Sequence, residues 1–454
     1  MKKIEFFGAS GGEVTGSNYL ITADDDNQVL VDFGMFQGDK EIQKRNFEPL
    51  AFNAQGLQAV FLTHAHLDHC GRLPLLIYGG FQGKIYMTAP TRRFVEIILE
   101  DSARIAEKDQ VQSPLYTQEE VWKVLKMIEI VKYDVEVNVG SFKGVFKDAG
   151  HILGSSSIVL TDVSGDKPES IVFSGDLGNT PQPLVKPTQY IDQADYVVME
   201  TTYGDSTHPK EDPAQIIQDE INAVEQSGGT LLIPAFAIER TQEVLHTIHH
   251  LKAEGKVKAD TPVFLDSPMG IDVTAVYLDF KDFYSEELQN HPDIPFNFES
   301  LLITYEGWES RKIKEEPGAK VIIAGSGMMS GGRIMHHIIN YLSDPKTRVL
   351  FVGYQAEETT GRKVLEGVQQ VTVEDRKGVK TVPVRAHINE IKTLSSHADQ
   401  PRLLTWLGHI KGVKKVFLTH GELPQQQAFQ ELVKTELKIQ DVSLPKQGEE
   451  YSLN

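Results

Sequence analysis

Short apolar runs rich in β-branched and aromatic residues punctuate the first 200 residues, at 4–7, 19–22, 29–31, 59–62, 84–87, 157–160, 171–173 and 196–199. Runs of this length between turn-forming Gly, Asp, Asn and Ser predict β-strands. Residues 91–108 and 117–128 instead repeat their apolar side chains at the helical period. Many strands with a few interleaved helices predict two sheets flanked by helices, with catalytic groups among the polar residues at strand ends.

The texture changes near Lys210. Strand-then-helix units follow, 230–234 before 240–252 and 321–324 before a glycine-rich loop and 336–342. Such units imply a parallel sheet with helices on its faces. After the turn Arg376-Lys377-Gly378, runs at 384–388 and 416–419 resume the earlier pattern, the second leading into a histidine much as 59–63 does. The expected organisation is a first domain over 1–207, an insertion over 208–375, and a return to the first domain over 376–454.

Composition narrows the class. With 40% hydrophobic and 24% charged residues, the 454-residue chain has material for two or more cores, which excludes disorder as the default. No apolar run approaches the roughly 20 residues that span a bilayer, and Gly8, Gly11 and Glu13 interrupt the first one, so a cytoplasmic protein away from membranes is expected. The single Cys70 cannot form an intramolecular disulfide or a Cys-based zinc site, and reads as a small buried residue. Any metal must therefore be held by histidines and carboxylates. The formal charge of −19 opposes nonspecific attraction to a polyanion over the whole surface. Bound divalent cations and clustered Arg or Lys can still make one cleft of such a protein locally positive.

The segment Thr63-His64-Ala65-His66-Leu67-Asp68-His69 follows a predicted strand and precedes a helix-starting segment. Residues two apart on an extended loop point the same way, so His64 and His66 can grip one ion while Asp68 and His69 turn toward another. A lone histidine is more often a satisfied or exposed side chain than a ligand. Four ligand-type side chains packed this closely after a strand favour the metal reading.

HAHLDH matches the HxHxDH signature of metallo-β-lactamase-fold hydrolases, and the rest of the chain resembles that family's pattern in order. Asp32 stands in Val31-Asp32-Phe33-Gly34, His151 in Ala149-Gly150-His151, and Asp176 in Ser174-Gly175-Asp176. The resemblance implies an α/β fold of the αββα sandwich type. It assigns His64, His66 and His151 to one metal, Asp68 and His69 to the other, Asp176 to a bridging position, and Asp32 to orienting the ligands. Donors of this kind suit zinc best, with manganese the alternative. Two ions roughly 3.5–4 Å apart let a shared hydroxide attack while the cations neutralise charge on a phosphoryl oxygen.

That signature is common to lactamases, thioesterases and phosphodiesterases, so the substrate must be read elsewhere. Met199-Glu200-Thr201-Thr202-Tyr203-Gly204, Ser395-Ser396-His397-Ala398-Asp399 and Thr419-His420-Gly421-Glu422 resemble the motifs of the β-CASP ribonuclease branch, relatives of the pre-mRNA 3′-end cleavage endonuclease. Pro234-Ala235-Phe236-Ala237, Leu265-Asp266-Ser267-Pro268-Met269 and Gly325-Ser326-Gly327-Met328 are also similar to that branch, so the resemblance runs nearly end to end. It implies an inserted parallel α/β (β-CASP) domain and places His420 on the second metal, as in RNA-cutting members. It also makes His397, backed by Glu200, the proton donor to the leaving group, completing a catalytic set with Asp32, Asp68 and Asp176. Single-stranded RNA is the expected partner and internal cleavage the expected mode, with 5′-end trimming as the alternative. Ser326 and Gly327 in the glycine-rich loop, with Arg240 and Arg333 near strand-to-helix junctions, are candidate phosphate contacts, although a tight turn and solvated charges explain them equally well. No KH domain or basic tail is evident, so RNA binding would rest on the cleft and on an oligomer such as a homodimer, or a partner. A small-molecule thioesterase or lactamase is the runner-up, and it leaves Glu200, His397 and the insertion without a role. A catalytically dead scaffold is disfavoured because all seven expected ligands are present.

Overall fold

The computed structural model describes residues 1–108, 113–179, 182–290, 295–356, 359–375 and 378–453; Arg376 and Lys377 of the expected turn lie outside these. The chain divides into two compact units. One comprises Met1–Thr207, Asp282–Ser285 and Ser396–Asn454, the other His208–Lys281 and Glu286–Ser395.

The first unit is built on two seven-stranded sheets. In spatial order, one runs Glu449–Ser452, Lys3–Gly8, Asn18–Thr22, Gln28–Val31, Leu57–Phe61, Lys84–Thr88 and Ile128–Val131. The other runs Val442–Ser443, Lys415–Thr419, Tyr196–Glu200, Glu169–Phe173, Ser156–Asp162, Phe142–Asp148 and Val137–Val139. Strands with one covered face alternate strictly, as Phe142–Asp148 does by burying every second side chain from Phe142 onward. Tyr196–Glu200 is buried throughout, because one face meets the other sheet and the other lies under helices. Between the sheets, Phe6, Tyr19, Val31 and Phe61 pack with Phe146, Ile158, Phe173, Val198 and Phe417. On the outer face of the second sheet, Leu403, Trp406 and Leu407 of helix Gln400–His409 and Phe429 of helix Leu423–Leu432 cover Val172, Val197, Met199, Val416 and Leu418. Helix Ala89–Lys108 packs on strands Lys84–Thr88 and Ile128–Val131 of the first sheet, completing an αββα sandwich.

The second unit holds a six-stranded sheet ordered Leu301–Ile303, Val263–Asp266, Lys320–Ala324, Thr230–Pro234, Arg348–Phe351, His387–Glu390, with every pair parallel. Thr230–Pro234 and Lys320–Ala324 are buried along their whole length, as strands covered on both faces must be. Gln370–Asp375 and Gly378–Pro383 form an antiparallel hairpin. The return to the first unit therefore comes at Ser396 rather than at 376. The apolar run near 384–388, expected to belong to the first domain, instead supplies His387–Glu390, which pairs in parallel with Arg348–Phe351 at the edge of the inserted sheet. Among the described residues, no helix is long and apolar enough to cross a membrane.

Candidate metal centre

Four strands of the first unit end at one place. Gln28–Val31 leads into Asp32, Leu57–Phe61 into the histidine loop, Tyr196–Glu200 ends on Glu200, and Lys415–Thr419 leads into His420. The loops after Phe142–Asp148 and Glu169–Phe173 bring His151 and Asp176. The resulting side chains form three groups whose ligand atoms lie within 4.8 Å of one another: His64, His66, His151 and Asp176; Asp68, His69 and His420; and Asp176, Glu200 and His397. Every expected ligand is in one of the first two.

Asp176 lies between them. Its Oδ2 is 3.4 Å from His64 Nε2 and 3.6 Å from His151 Nε2, while its Oδ1 is 3.3 Å from His69 Nε2 and 3.7 Å from His420 Nε2. One carboxylate thus turns one oxygen toward each group.

The rings are aimed from behind. Asp32 Oδ2 accepts from His69 Nδ1 at 2.8 Å, and the same carboxylate accepts from the Thr63 amide and hydroxyl, both at 2.8 Å. The Ser396 carbonyl accepts from His151 Nδ1 at 3.1 Å. The Thr202 hydroxyl meets His420 Nδ1 at 3.2 Å. A carboxylate or carbonyl can only accept, so His69 and His151 carry their proton on Nδ1 and present Nε2 to the centre. Asp32 and His420 adopt left-handed backbone, with φ of +57° and +48°, a conformation costly for residues other than glycine that persists where surrounding contacts hold it. Gly34 is required by close approach, since a Cβ there would meet the Asp68 carbonyl oxygen at 1.5 Å. Thr63, Thr202 and Ser396 stand inside the motifs quoted above, yet their supporting roles depend on ring orientations that sequence does not disclose.

The charges respond to this crowding. Burial lowers the His66 imidazole to about 3, with His64 adding to the shift, and burial likewise lowers His64 and His151. These rings are neutral, the form that donates a lone pair to a cation. Burial opposes ionisation of Asp176, but the charge of the neighbouring imidazoles, His420 and His69 foremost, outweighs it and holds the carboxyl well below its usual range. Burial also works against charge on His397, and the carboxylates of Glu200 and Asp176 overcome it, lifting the ring to about 9.

The donor set fits divalent cations. Asp176 Oδ1 is buried without a hydrogen-bond partner. Ring nitrogens face each other at 3.0 Å between His64 and His66, 3.2 Å between His66 and His151, and 3.2 Å between His69 and His420. Converging ring nitrogens and an orphaned carboxylate oxygen are an expensive arrangement in a buried site unless cations occupy it.

Glu200 and His397 adjoin this centre. Glu200, 1% exposed, accepts from the Leu177 amide at 2.8 Å and the Thr202 amide at 3.1 Å, and meets His397 Nδ1 at 3.2 Å. His397 Nε2 lies 3.9 Å from Asp176 Oδ2, and its side chain is 20% exposed, whereas those of His64 and His151 are fully buried.

The phosphate contacts expected in the inserted unit fare differently. Arg240 is buried and pairs with Glu243 one helical turn along, so it is not a solvent-facing clamp. Arg333 joins Asp266 at 2.6 Å and the Tyr305 carbonyl at 2.7 Å, tying loops together. Ser326 accepts from the Ser330 amide through its hydroxyl, and the amides of Ser326, Met329 and Ile334 also donate within this loop. A Cβ at Gly327 would meet the Phe236 ring at 2.8 Å, so packing accounts for this glycine.

Residues 11–207 match the metallo-beta-lactamase superfamily, 241–364 the Beta-Casp domain, and 381–445 the Zn-dependent metallo-hydrolase RNA specificity domain. The chain is 36% identical to Ribonuclease TTHA0252 of Thermus thermophilus, over 98% of both chains. It is 32% identical to RNase aCSPSF2 of Saccharolobus solfataricus over 98% of this chain and 84% of that one, and 29% identical to the transcription termination factor FttA of Methanocaldococcus jannaschii over 96% and 70%. A solved structure of a protein of unknown function from Enterococcus faecalis V583 shares the fold over the whole of both chains at a TM-score of 0.56 and 13% identity. Fold and site define a metal-dependent hydrolase of the metallo-β-lactamase superfamily. Within it, the chain belongs to the β-CASP family.

Proposed function

We propose that this protein hydrolyses RNA phosphodiester bonds at a centre of two divalent ions, most suitably zinc, acting within single-stranded RNA. The observation that carries the reading is Asp176, one oxygen turned to each of two ligand groups. His64, His66 and His151 would hold one ion, Asp68, His69 and His420 the other, with Asp176 shared and Asp32 fixing the His69 ring. Two such ions, when bound, make a nucleophile from water at neutral pH and neutralise charge on the phosphoryl group. The names of the relatives, ribonucleases along most of their length, support RNA as the substrate.

The chain's own residues supply the remaining chemistry. When the phosphodiester breaks, the departing 3′-oxygen gains negative charge and needs a proton. His397 is placed to give it from Nε2, because Glu200 holds Nδ1 and the side chain is partly open to solvent. Attack by hydroxide leaves the ribose 2′-hydroxyl uninvolved, so the products carry a 3′-hydroxyl and a 5′-phosphate. A circular single-stranded RNA tests the mode of cutting. Linearisation is expected; digestion of linear 5′-phosphorylated RNA alone would replace internal cleavage with 5′-end trimming, and hydrolysis of thioesters or lactams without RNA would overturn the substrate.

A further inference from the structure

Ligands of open parallel α/β sheets bind beyond the carboxyl ends of the strands. Three adjacent strands of the inserted sheet, Lys320–Ala324, Thr230–Pro234 and Arg348–Phe351, end in loops carrying Gly327, Phe236 and Gly353. Phe236 is 39% exposed there, just beyond the central strand Thr230–Pro234, which is buried along its whole length. A Cβ added to Gly327 would lie 2.8, 2.9 and 3.1 Å from Cδ2, Cε2 and Cγ of that ring. Near-equal distances to three neighbouring ring carbons mean approach to the face rather than the edge. A Cβ at Gly353 would reach the same ring carbons at 3.3 and 3.5 Å. The ring thus lies face-on against the bare backbone of Gly327, where a larger residue would displace it, with its Cδ2–Cε2 edge toward Gly353.

The bed beneath it is fixed. Gln355 Nε2 donates to the Gly327 carbonyl at 3.0 Å and the Gly353 carbonyl at 2.9 Å, joining the two loops. The Phe236 carbonyl accepts from the Thr241 hydroxyl at 2.7 Å and its amide at 3.2 Å, holding the backbone at the start of helix Arg240–Ala253. Tyr354, next to Gly353, is 59% exposed.

We propose that Phe236 is a stacking platform for an unpaired nucleobase of the substrate, a proposal that rests on RNA being that substrate. Every base offers a π-face, so stacking recognises single strands with little regard to sequence. It also gives this acidic chain a source of affinity that does not depend on phosphate attraction.

Steady-state cleavage of a short fluorogenic, unstructured oligoribonucleotide by the metal-loaded protein tests this. Phe236→Ala and Phe236→Leu should each lower kcat/KM about tenfold, within the range that base–aromatic stacking supplies. Phe236→Trp should retain it, and the Leu variant should keep the wild-type melting temperature. Abasic substitutions walked along the oligonucleotide should find one position where the wild type loses that same factor and Phe236→Ala loses nothing more. A Leu variant as active as wild type, or equal abasic losses in wild type and Phe236→Ala, would overturn the platform alone. A wild type that cuts no RNA would overturn both the platform and the substrate reading.

Discussion

Two buried carboxylates, one in each unit, meet opposite fates. Asp266 ends a strand of the inserted sheet and is fully buried, with both oxygens satisfied: Oδ1 accepts from Thr304 Oγ1 at 2.8 Å and from Arg333, and Oδ2 from Ser310 and from His337 Nε2 at 2.7 Å. Asp176 is buried as deeply, yet its Oδ1 has no hydrogen-bond partner and stands among imidazole nitrogens. A carboxylate whose neighbours all donate is part of the scaffold, whereas one left without a donor among ring nitrogens is suited to a cation.

Alanine substitution should separate the two most sharply. Asp176→Ala is expected to abolish RNA cleavage and reduce bound metal at both groups, because one carboxylate spaces and neutralises two cations. Asp266→Ala should instead leave metal content intact and cost about 3 kcal/mol of stability, through the buried donors it strands. Inductively coupled plasma analysis beside denaturant unfolding reads both effects. Wild-type metal content in Asp176→Ala, or metal loss in Asp266→Ala, would break the distinction.

His397→Ala comes next in size. RNA cleavage should fall about 10²–10⁴-fold, the usual contribution of a positioned proton donor, with metal content unchanged. Bis-p-nitrophenyl phosphate, whose leaving group needs no proton, should be hydrolysed much nearer the wild-type rate. Equal losses on both substrates would remove the proton-donor role, and lost metal would make His397 a ligand.

The histidine loop was legible in sequence because its candidate ligands are contiguous and follow an apolar run. His151, Asp176, Glu200, His397 and His420 lie far apart along the chain and were placed by family resemblance; the fold brings them to neighbouring strand ends. The Asp266 network escaped notice for the same reason without such help, since its partners are 38 to 71 residues away. Arg240 misled because its partner Glu243 is visible at helical spacing while the burial of both is not. The second boundary was misplaced because the run at 384–388 leads into a short, half-exposed edge strand, His387–Glu390, and nothing local assigns it to either sheet.

A smaller effect is expected behind the ligands. Asp32→Asn should keep the fold but weaken metal binding about 10–100-fold, since it disturbs the acceptor that orients His69. Competition with a chelator measures this, and unchanged affinity would show that Asp32 only braces Thr63.

If Asp176 joins two cation sites into one centre, the metal content of the purified wild-type protein must show it. Close to two divalent ions per chain are expected, with RNA cleavage lost on chelation and restored by adding zinc or manganese back. A protein that binds a single ion at saturation, or that cuts RNA undiminished after its metal is removed, would contradict it.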